Sequence, residues 1–248
     1  MPAGGVRGKQ VVLTGATNGI GLAAAEALAA KGALLAIVAR NPERARDAVH
    51  RITAAGGPDT TVDVLDADLS SQASVRGLGA QILERYPRVD VLVNNAGAVN
   101  RTRQLTEDGL ELTWAVNHLA PFLLTNLLLE RLRASAPARV VATSSDAHRG
   151  ARMVPFDDLN AERSYGANGF ARYGQTKLAN ILFTIELARR LEGSGVTANC
   201  VHPGFVATGF NRNNGPLMRL AMTVARPFSR SPQKGAETLV WLVESPDV

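Results

Sequence analysis

The sequence predicts an α/β fold in which a parallel sheet is covered by helices on both faces. Short runs of aliphatic and β-branched residues alternate with longer segments of helical periodicity along all 248 residues. Several of the short runs are apolar throughout, as strands buried on both faces usually are. This alternation is typical of βαβ units, and no repeat, low-complexity tract or linker divides the chain. We therefore predict a single domain, residues 1–248.

The predicted strands are short, and the predicted helices are longer, with apolar residues three and four positions apart. Strands are predicted at 10–15, 33–39, 60–65, 89–94, 138–144 and 196–202. Helices are predicted at 20–31, 42–55, 71–86, 106–134 and 171–193. Each of the first five strands is thus followed by a helix, which can return the chain for the next parallel strand.

Composition and charge exclude several classes of protein. Hydrophobic residues make up 46% and charged residues 20% of the chain, which is ordinary for a globular domain. The formal net charge is +5, but the arginines are scattered, so we expect no nucleic-acid interface. The N-terminus has no signal-peptide pattern, and no apolar run reaches the roughly 20 residues that cross a bilayer. We expect a cytoplasmic protein without a membrane span.

The cysteine and histidines do not form a metal-binding pattern. Cys200 is the sole cysteine and lies in an apolar run, where cysteine is usually a small buried hydrophobe. His118, His148 and His202 lack the spacing of metal ligands, and His50 lies on a predicted surface helix. We expect no metal site.

A glycine-rich turn joins the first predicted strand to the first helix. Glycines allow the backbone to turn sharply and approach a pyrophosphate, and the helix N-terminus supplies free N–H groups. No Lys-Ser or Lys-Thr follows, as a nucleoside-triphosphate loop would require. The turn therefore predicts a dinucleotide site, with a turn that binds nothing as the alternative. The residues assigned to this site are Gly15, Thr17, Asn18, Gly19, Ile20 and Gly21.

The end of the second predicted strand indicates which dinucleotide is bound. A carboxylate about 20 residues past the glycines would accept hydrogen bonds from the adenosine ribose and favour NAD. This sequence has Arg40 there, followed by Asn41, with Arg44 a turn later. A guanidinium can pair with a 2′-phosphate, which a carboxylate would repel. NADP(H) is therefore favoured over NAD(H); the alternative makes Arg40 a solvated strand-end residue.

Tyr173 and Lys177 lie at the start of a strongly helical stretch, and their spacing of four places them on one helix face. The unperturbed pKa of tyrosine is about 10, too high for easy loss of a proton at neutral pH. A neighbouring ammonium and a positive nicotinamide would stabilise the phenolate and lower that pKa. The pair predicts an acid–base site, although this spacing alone is also common by chance.

Further motifs lie at the ends of predicted strands, where open α/β folds bind their ligands. They are Asn94-Asn95-Ala96-Gly97 after the fourth strand, Asn117 in the long helix, and Ser144-Ser145 after the fifth strand. Together with the glycine-rich turn and the Tyr173–Lys177 pair, they resemble the short-chain dehydrogenase/reductase family over about residues 8–240. The runs at 114–129 and 173–183 (YGQTKLANILF) are similar to its retinol dehydrogenase-like branch.

This resemblance implies a Rossmann-type, doubly wound, three-layer domain with strand order 3-2-1-4-5-6, and a catalytic group of four residues. Tyr173 would be the general acid in carbonyl reduction and the general base in alcohol oxidation. Lys177 would hold the nicotinamide ribose hydroxyls and lower the pKa of the tyrosine. Ser145 would donate a hydrogen bond to the substrate oxygen, in an oxyanion-type role. Asn117 would hold a water in a proton relay behind Lys177.

The resemblance also implies further cofactor contacts. Asp68 and Leu69 would contact adenine, Asn94, Ala96 and Gly97 would flank the cofactor, and the loop PGFVAT at 203–208 would hold the nicotinamide carboxamide, through Pro203, Gly204, Val206 and Thr208.

Members of the branch generally act on lipophilic aldehydes, ketones or alcohols, usually with NADP(H), and the resemblance implies such a substrate here. Aliphatic residues interspersed with arginines at 210–228 predict a substrate lid at about 205–230. An amphipathic helix covering the core is the alternative, and membrane-surface attachment is less favoured. Family habit implies a homodimer or homotetramer. The chain ends at Val248, where relatives usually add a further edge strand, so the choice between these assemblies stays open.

Two other functions stay open from the sequence. One is an NAD-dependent alcohol or hydroxysteroid dehydrogenase, which differs chiefly in its cofactor. The other is a nicotinamide-binding module without turnover, against which the presence of all four catalytic residue types argues.

Overall fold

The computed structural model describes residues 5–204, 206 and 229–248. Within them, six strands form one sheet in the order β3-β2-β1-β4-β5-β6, and every neighbouring pair is parallel. The strands are β1 (Gln10–Thr14), β2 (Leu34–Ala39), β3 (Val62–Asp66), β4 (Val91–Asn94), β5 (Ala138–Thr143) and β6 (Val196–Val201). The predicted doubly wound fold and its strand order are confirmed.

The helices connect the strands and cover the sheet. They are α1 (Gly19–Ala30), α2 (Pro42–Gly56), α3 (Gln72–Arg85), α4 (Leu112–Trp114), α5 (Ala120–Ala134), α6 (Phe170–Arg190) and α7 (Pro232–Glu244). A π-helical segment, Ala115–Leu119, joins α4 to α5, and a 3₁₀ turn, Asp146–Gly150, follows β5. The prediction of one helix over 106–134 was wrong at its start, because α4 begins only at Leu112. Helix α7 was not predicted from the sequence; Ser231 caps it by accepting a hydrogen bond from the Lys234 amide (3.2 Å).

Neighbouring residues of a strand face opposite layers of the protein. In β1, Val11 and Leu13 belong to the apolar cluster that α1, α2 and α7 share, whereas Val12 belongs to the cluster that includes α3, α5 and α6. Because both faces of the central strands are covered, these strands are apolar without alternation, as the sequence predicted. The two layers of helices leave the carboxyl ends of the strands open, and the candidate site lies there.

One helical stretch is long and apolar enough to cross a membrane, judged by length and composition alone. The 23-residue stretch Leu112–Ala134 contains an 18-residue window with a mean hydropathy of 1.3, so the expectation that no apolar segment reaches this length was wrong. In the structure, 44% of this window is buried, and Leu124 and Leu128 pack in the core beneath the sheet. The core helix of a soluble protein passes the same test, so the absence of a membrane span stays a prediction.

Candidate functional site

A cavity of about 550 Å³ lies at the carboxyl ends of the strands. Residues from distant parts of the sequence meet there because parallel strands all end at the same edge of the sheet. Most of the residues that the sequence assigned to the site line this cavity. They are Gly15, Thr17, Asn18, Gly19, Ile20, Gly21, Arg40, Asp68, Leu69, Ala96, Gly97, Ser145, Tyr173, Lys177, Pro203, Gly204 and Val206. Asn94 and Asn117 lie outside its lining, and Thr208 lies outside the described residues.

The glycine-rich turn leaves no room for side chains at two of its positions. Gly15 has a φ of +70°, and a Cβ there would lie 2.7 Å from the Cα of Ala96. A Cβ at Gly21 would lie 2.1 Å from the carbonyl oxygen of Gly15. This packing holds the N-terminus of α1 close to the end of β1, with Asn18 and Gly19 on the cavity wall. The free N–H groups of a helix N-terminus suit a pyrophosphate, so the turn fits a dinucleotide.

At the end of β4, Asn95 and not Asn94 lines the cavity, which differs from the sequence-based assignment. Asn94 was assigned to the cofactor, but its side chain is buried and donates to Thr125 Oγ1 (2.9 Å). Asn95 lines the cavity instead, donating to the Gly15 carbonyl (3.1 Å) and accepting from Thr143 Oγ1 (3.1 Å). Successive residues of a strand point to opposite faces, so only one of the pair can face the cavity. Asn95 therefore ties the glycine-rich turn to β5.

The adenosine end of the cavity is basic. Arg40 directly follows β2, and Arg44 lies one turn into α2, whose N-terminus is capped by Asn41 accepting from the Arg44 amide (2.9 Å). Arg40 Nη1 donates to Asp68 Oδ2 at 3.0 Å, yet the Arg40 side chain is 71% exposed and therefore free to contact a ligand as well. Burial raises the pKa of Asp68, but hydrogen bonds from Ser70 and Arg40 outweigh it and hold that pKa below its ordinary value.

The hydroxyl and amine groups predicted for catalysis meet at the opposite end. Tyr173 and Lys177 lie on the first turns of α6, with Lys177 Nζ 5.4 Å from the centroid of the tyrosine ring. Lys177 Nζ donates to the Thr143 carbonyl (2.8 Å), which fixes the amine beside the end of β5. Tyr173 is hydrogen-bonded to Ser145, which follows β5 directly after Ser144. The Ser144 hydroxyl instead donates to the Lys177 carbonyl (3.0 Å), so Ser145 is the serine that contacts the phenol.

Burial controls the acidity of both groups. It raises the pKa of Tyr173 to about 12, although the hydrogen bond with Ser145 acts in the opposite direction. It lowers the pKa of Lys177 to about 8, because the side chain is almost fully removed from solvent. The expected lowering of the tyrosine pKa is therefore not achieved by the chain's own groups, since desolvation of the phenolate exceeds their stabilising effect. The amine is close to half-charged at a pH of about 8, where the phenol stays protonated.

The buried amine of Lys177 should make the stability of the protein depend on pH. Between the folded pKa of about 8 and the unfolded value of about 10.4, the unfolded chain binds more protons at Lys177. The contribution of this residue to stability is thus full above the unfolded pKa and is lost as the pH falls through about 8. We expect the free energy of unfolding, wild type minus Lys177→Met, to rise by about 2 kcal/mol from about pH 8 to about pH 10. Urea unfolding of both proteins measures this difference, and a flat or falling difference would contradict the assigned pKa.

The Asn117 side chain is hydrogen-bonded to the backbone of the loop after β4. It is fully buried in the π-helical segment, where its Oδ1 accepts from the Ala98 amide (2.8 Å) and its Nδ2 donates to the Ala98 carbonyl (2.9 Å). Nδ2 also lies 3.2 Å from Thr176 Oγ1, and the Asn117 carbonyl accepts from Asn180 Nδ2 (2.9 Å). The side chain thus holds the loop after β4 against α6. The side-chain amide of Asn117 is bonded to other groups of the protein, so the expected role of Asn117 in a water relay would not use this amide.

The nicotinamide loop is only partly described. Pro203, Gly204 and Val206 line the cavity, and Gly204 has a φ of +81°, which favours glycine. Val206 forms an isolated bridge with Arg230, which joins the loop to the segment before α7. Thr208 and most of the predicted lid at 205–230 lie outside the described residues.

Four apolar residues, which we call the apolar wall, line the same cavity as Tyr173 and Ser145. They are Leu112, Val116, Ala147 and Phe170, with Asn100 as a polar neighbour. None of these residues was assigned to the site from the sequence. They were missed because they come from five separate segments, which are the loop after β4, α4, the π-helical segment, the 3₁₀ turn after β5 and the start of α6. No local motif encodes how these segments pack against each other.

Comparison with known sequences identifies relatives over nearly the whole chain. A sequence model of the family described as short chain dehydrogenase matches residues 9–155. Retinol dehydrogenase 14 of Mus musculus is 44% identical over 255 residues, which cover 98% of this chain and 75% of that protein. DnrU of Streptomyces sp. (strain C5), assigned as a daunorubicin C-13 ketoreductase, is 45% identical over 247 residues, covering 99% of this chain and 81% of that protein.

Solved structures with the same fold include proteins with NADP. The Pseudomonas aeruginosa RhlG/NADP active-site complex is 29% identical, with a TM-score of 0.77, and the match covers 100% of this chain and 93% of that one. A short chain dehydrogenase from Burkholderia cenocepacia J2315 in complex with NADP is 30% identical, with a TM-score of 0.76, over 97% of this chain and 92% of that one.

Proposed function

Since the chain belongs to the short-chain dehydrogenase family, in its retinol dehydrogenase-like branch, and is an NAD(P)-dependent oxidoreductase of CH–OH and C=O groups, we propose that it transfers hydride between NADP(H) and a lipophilic carbonyl or alcohol. The observation that carries this proposal is the position of Tyr173 and Ser145 on an apolar wall, with Arg40 on the wall of the same cavity.

The preference for NADP(H) is supported by charge at the end of β2. Arg40 and Arg44 both line the cavity, and a 2′-phosphate would gain charge-assisted hydrogen bonds from them. Asp68 accepts one hydrogen bond from Arg40 and thereby orients its guanidinium. A carboxylate in place of Arg40 would instead repel the phosphate. Structures of relatives that contain NADP agree with this preference.

The glycine-rich turn, Arg40 and Lys177 would hold NADP(H), which supplies or accepts the hydride when bound. In carbonyl reduction, the Tyr173 hydroxyl donates a proton to the substrate oxygen, because it is protonated at neutral pH and lies at the cavity wall. Ser145 holds the same oxygen by a hydrogen bond as negative charge develops on it. The Lys177 amine is fixed by its hydrogen bond to the Thr143 carbonyl and can then return a proton towards Tyr173. In alcohol oxidation, the same groups act in reverse.

A lipophilic substrate is supported by the wall beside the catalytic groups. Leu112, Val116, Ala147 and Phe170 offer apolar surface, and Asn100 is their polar neighbour in the lining. Burial of apolar surface contributes about 0.8 kcal/mol for each methylene, so a longer alkyl chain should bind more tightly along this wall.

A homologous series of straight-chain aldehydes tests this proposal. With NADPH in excess, we expect kcat/KM to rise by about fourfold for each added methylene until the wall is filled, because each methylene is removed from water. Initial rates of NADPH oxidation measure the series, and hydroxylated aldehydes of equal length are the matched controls. A flat series, or a preference for the hydroxylated members, would contradict the lipophilic substrate.

A further inference from the structure

A charged pair that has no assigned part in the chemistry is buried directly beside the catalytic tyrosine. Arg172 precedes Tyr173 in α6, and its side chain is 1% exposed, while that of Glu111 is 0% exposed. Arg172 Nε donates to Glu111 Oε2 at 2.7 Å. Arg172 is also among the largest fully buried side chains of the described residues. This burial could not be predicted from the sequence, since an arginine at a helix start is usually solvated.

The carboxylate of this pair caps the helix that leads to Asn117. Glu111 Oε1 accepts from the Thr113 amide (2.7 Å), and Oε2 accepts from the Trp114 amide (2.8 Å). These amides are the free N–H groups at the start of α4, which continues into the π-helical segment. Glu111 therefore fixes the element that carries Asn117 and the pocket residue Val116.

The guanidinium of this pair connects two further elements. Arg172 Nη1 donates to Gln175 Oε1 (3.2 Å) within α6, and Nη2 donates to the carbonyl of Leu159 in the loop between β5 and α6. The plane of the guanidinium also lies over the ring of Trp114, 4.8 Å from its centroid. Three segments that surround the reacting end of the cavity are thus joined at one ion pair.

We propose that Glu111 and Arg172 are positioning residues that set where Tyr173 lies relative to Ser145 and to the apolar wall. The inference rests on the proposed function, in which Tyr173 is the proton donor. Neither charged group lines the cavity, so each acts through another residue: Arg172 through the backbone of Tyr173, and Glu111 through α4 and the π-helical segment.

Stability alone does not account for this pair. Two buried charges lose hydration, and apolar residues of similar volume often give equal or greater stability. What apolar residues cannot reproduce is the set of directional bonds from one guanidinium and one carboxylate to three separate segments. A displacement of about 1 Å at a reacting group can cost about 100-fold in rate, so such bonds matter for turnover even where they add little stability.

The double variant Glu111→Leu/Arg172→Met separates positioning from folding, because it removes both charges and leaves neither one buried alone. We expect the variant to fold with a melting temperature about 5–10 °C below the wild type, because the buried Thr113 and Trp114 amides lose the carboxylate that caps them. We expect its Kd for NADPH to be unchanged and its kcat to fall by about 10–100-fold. Thermal unfolding, fluorescence titration with NADPH and initial rates with the best aldehyde measure these three quantities.

Two companion variants make the outcome decisive. Arg172→Lys keeps the charge but loses the planar fork, so its kcat should fall by about tenfold with the same Kd for NADPH. Asp157→Ala/Arg163→Ala removes an exposed ion pair from the same loop and should leave kcat at the wild-type level. A folded double variant with wild-type kcat, or wild-type kcat in Arg172→Lys if the double variant does not fold, would overturn this inference. A wild-type protein that turns over no carbonyl or alcohol would instead contradict the proposed function.

Discussion

Replacing Tyr173 with phenylalanine should lower kcat by about 1,000-fold while the protein keeps its fold and its affinity for NADPH. The substitution removes the hydroxyl that donates the proton, and general acid catalysis typically contributes about 100-fold to 10,000-fold in rate. It leaves the ring in place among the buried residues of α6. The lost hydrogen bond to Ser145 does not involve the glycine-rich turn or Arg40, so binding of the adenosine half should be preserved. Initial rates and a fluorescence titration with NADPH measure the two effects.

The matched control for this variant is Tyr86→Phe. Tyr86 is also largely buried and hydrogen-bonded, through its hydroxyl to Asp63 Oδ2 at 2.6 Å, but it lies near β3 and away from the cavity. Its loss should leave kcat within about twofold of the wild type, because it contacts none of the reacting groups. If Tyr173→Phe keeps more than a tenth of the wild-type kcat, another group donates the proton and the assignment of Tyr173 is wrong.

The second large effect is expected from Arg40→Asp, which should weaken NADPH binding by about 10–100-fold. The substitution removes a hydrogen bond to a charged group, commonly about 1.5–3 kcal/mol, and adds a negative charge beside Asp68. NADH, which has no 2′-phosphate, should bind the variant as well as or better than the wild type. Fluorescence titrations with each dinucleotide at one fixed ionic strength measure the change, since salt screens exposed charges.

The control for this exchange is Arg46→Asp on the helix that follows Arg40, α2. Arg46 is exposed and does not line the cavity, so the same change of net charge there should affect both dinucleotides only slightly. Equal weakening of NADPH and NADH by Arg40→Asp would mean that Arg40 does not contact a 2′-phosphate. Tighter binding of NADH than of NADPH by the wild type would favour the alternative of an NAD-dependent alcohol or hydroxysteroid dehydrogenase.

Much of the fold could be predicted from the sequence because its signals are local. The apolar sequences of strands such as β1 and β5 indicate burial on both faces, and the glycines after β1 mark the turn into α1. The missed helix, α7, has a capping serine and an early proline, but it begins at Pro232, far along the chain from the end of β6 at Val201, so the alternating pattern did not include it. The helix predicted from residue 106 begins later because Glu111 caps it at Leu112.

The site was less predictable, because its details depend on which side chains meet across the sheet edge. Motifs identified the cavity-lining turn and the Tyr173–Lys177 pair, but not that Asn95 faces the cavity and Asn94 the core. They also could not reveal the buried ion pair between Glu111 and Arg172, which are far apart in sequence. The rise in the pKa of Tyr173 that burial causes in the chain alone could not be predicted from motifs either, since it depends on the folded structure.

We propose that this protein transfers hydride between a nicotinamide and a carbonyl carbon, with Tyr173 as the proton donor. The most direct measurement uses NADPH carrying deuterium at the transferable position of nicotinamide C4, with a lipophilic aldehyde and mass analysis of the alcohol. We predict that the wild type places deuterium on the former carbonyl carbon and that Tyr173→Phe forms almost no product. An alcohol without deuterium would contradict hydride transfer from the nicotinamide. No alcohol with any aldehyde or ketone, despite tight NADPH binding, would also contradict it and would favour a nicotinamide-binding module without turnover.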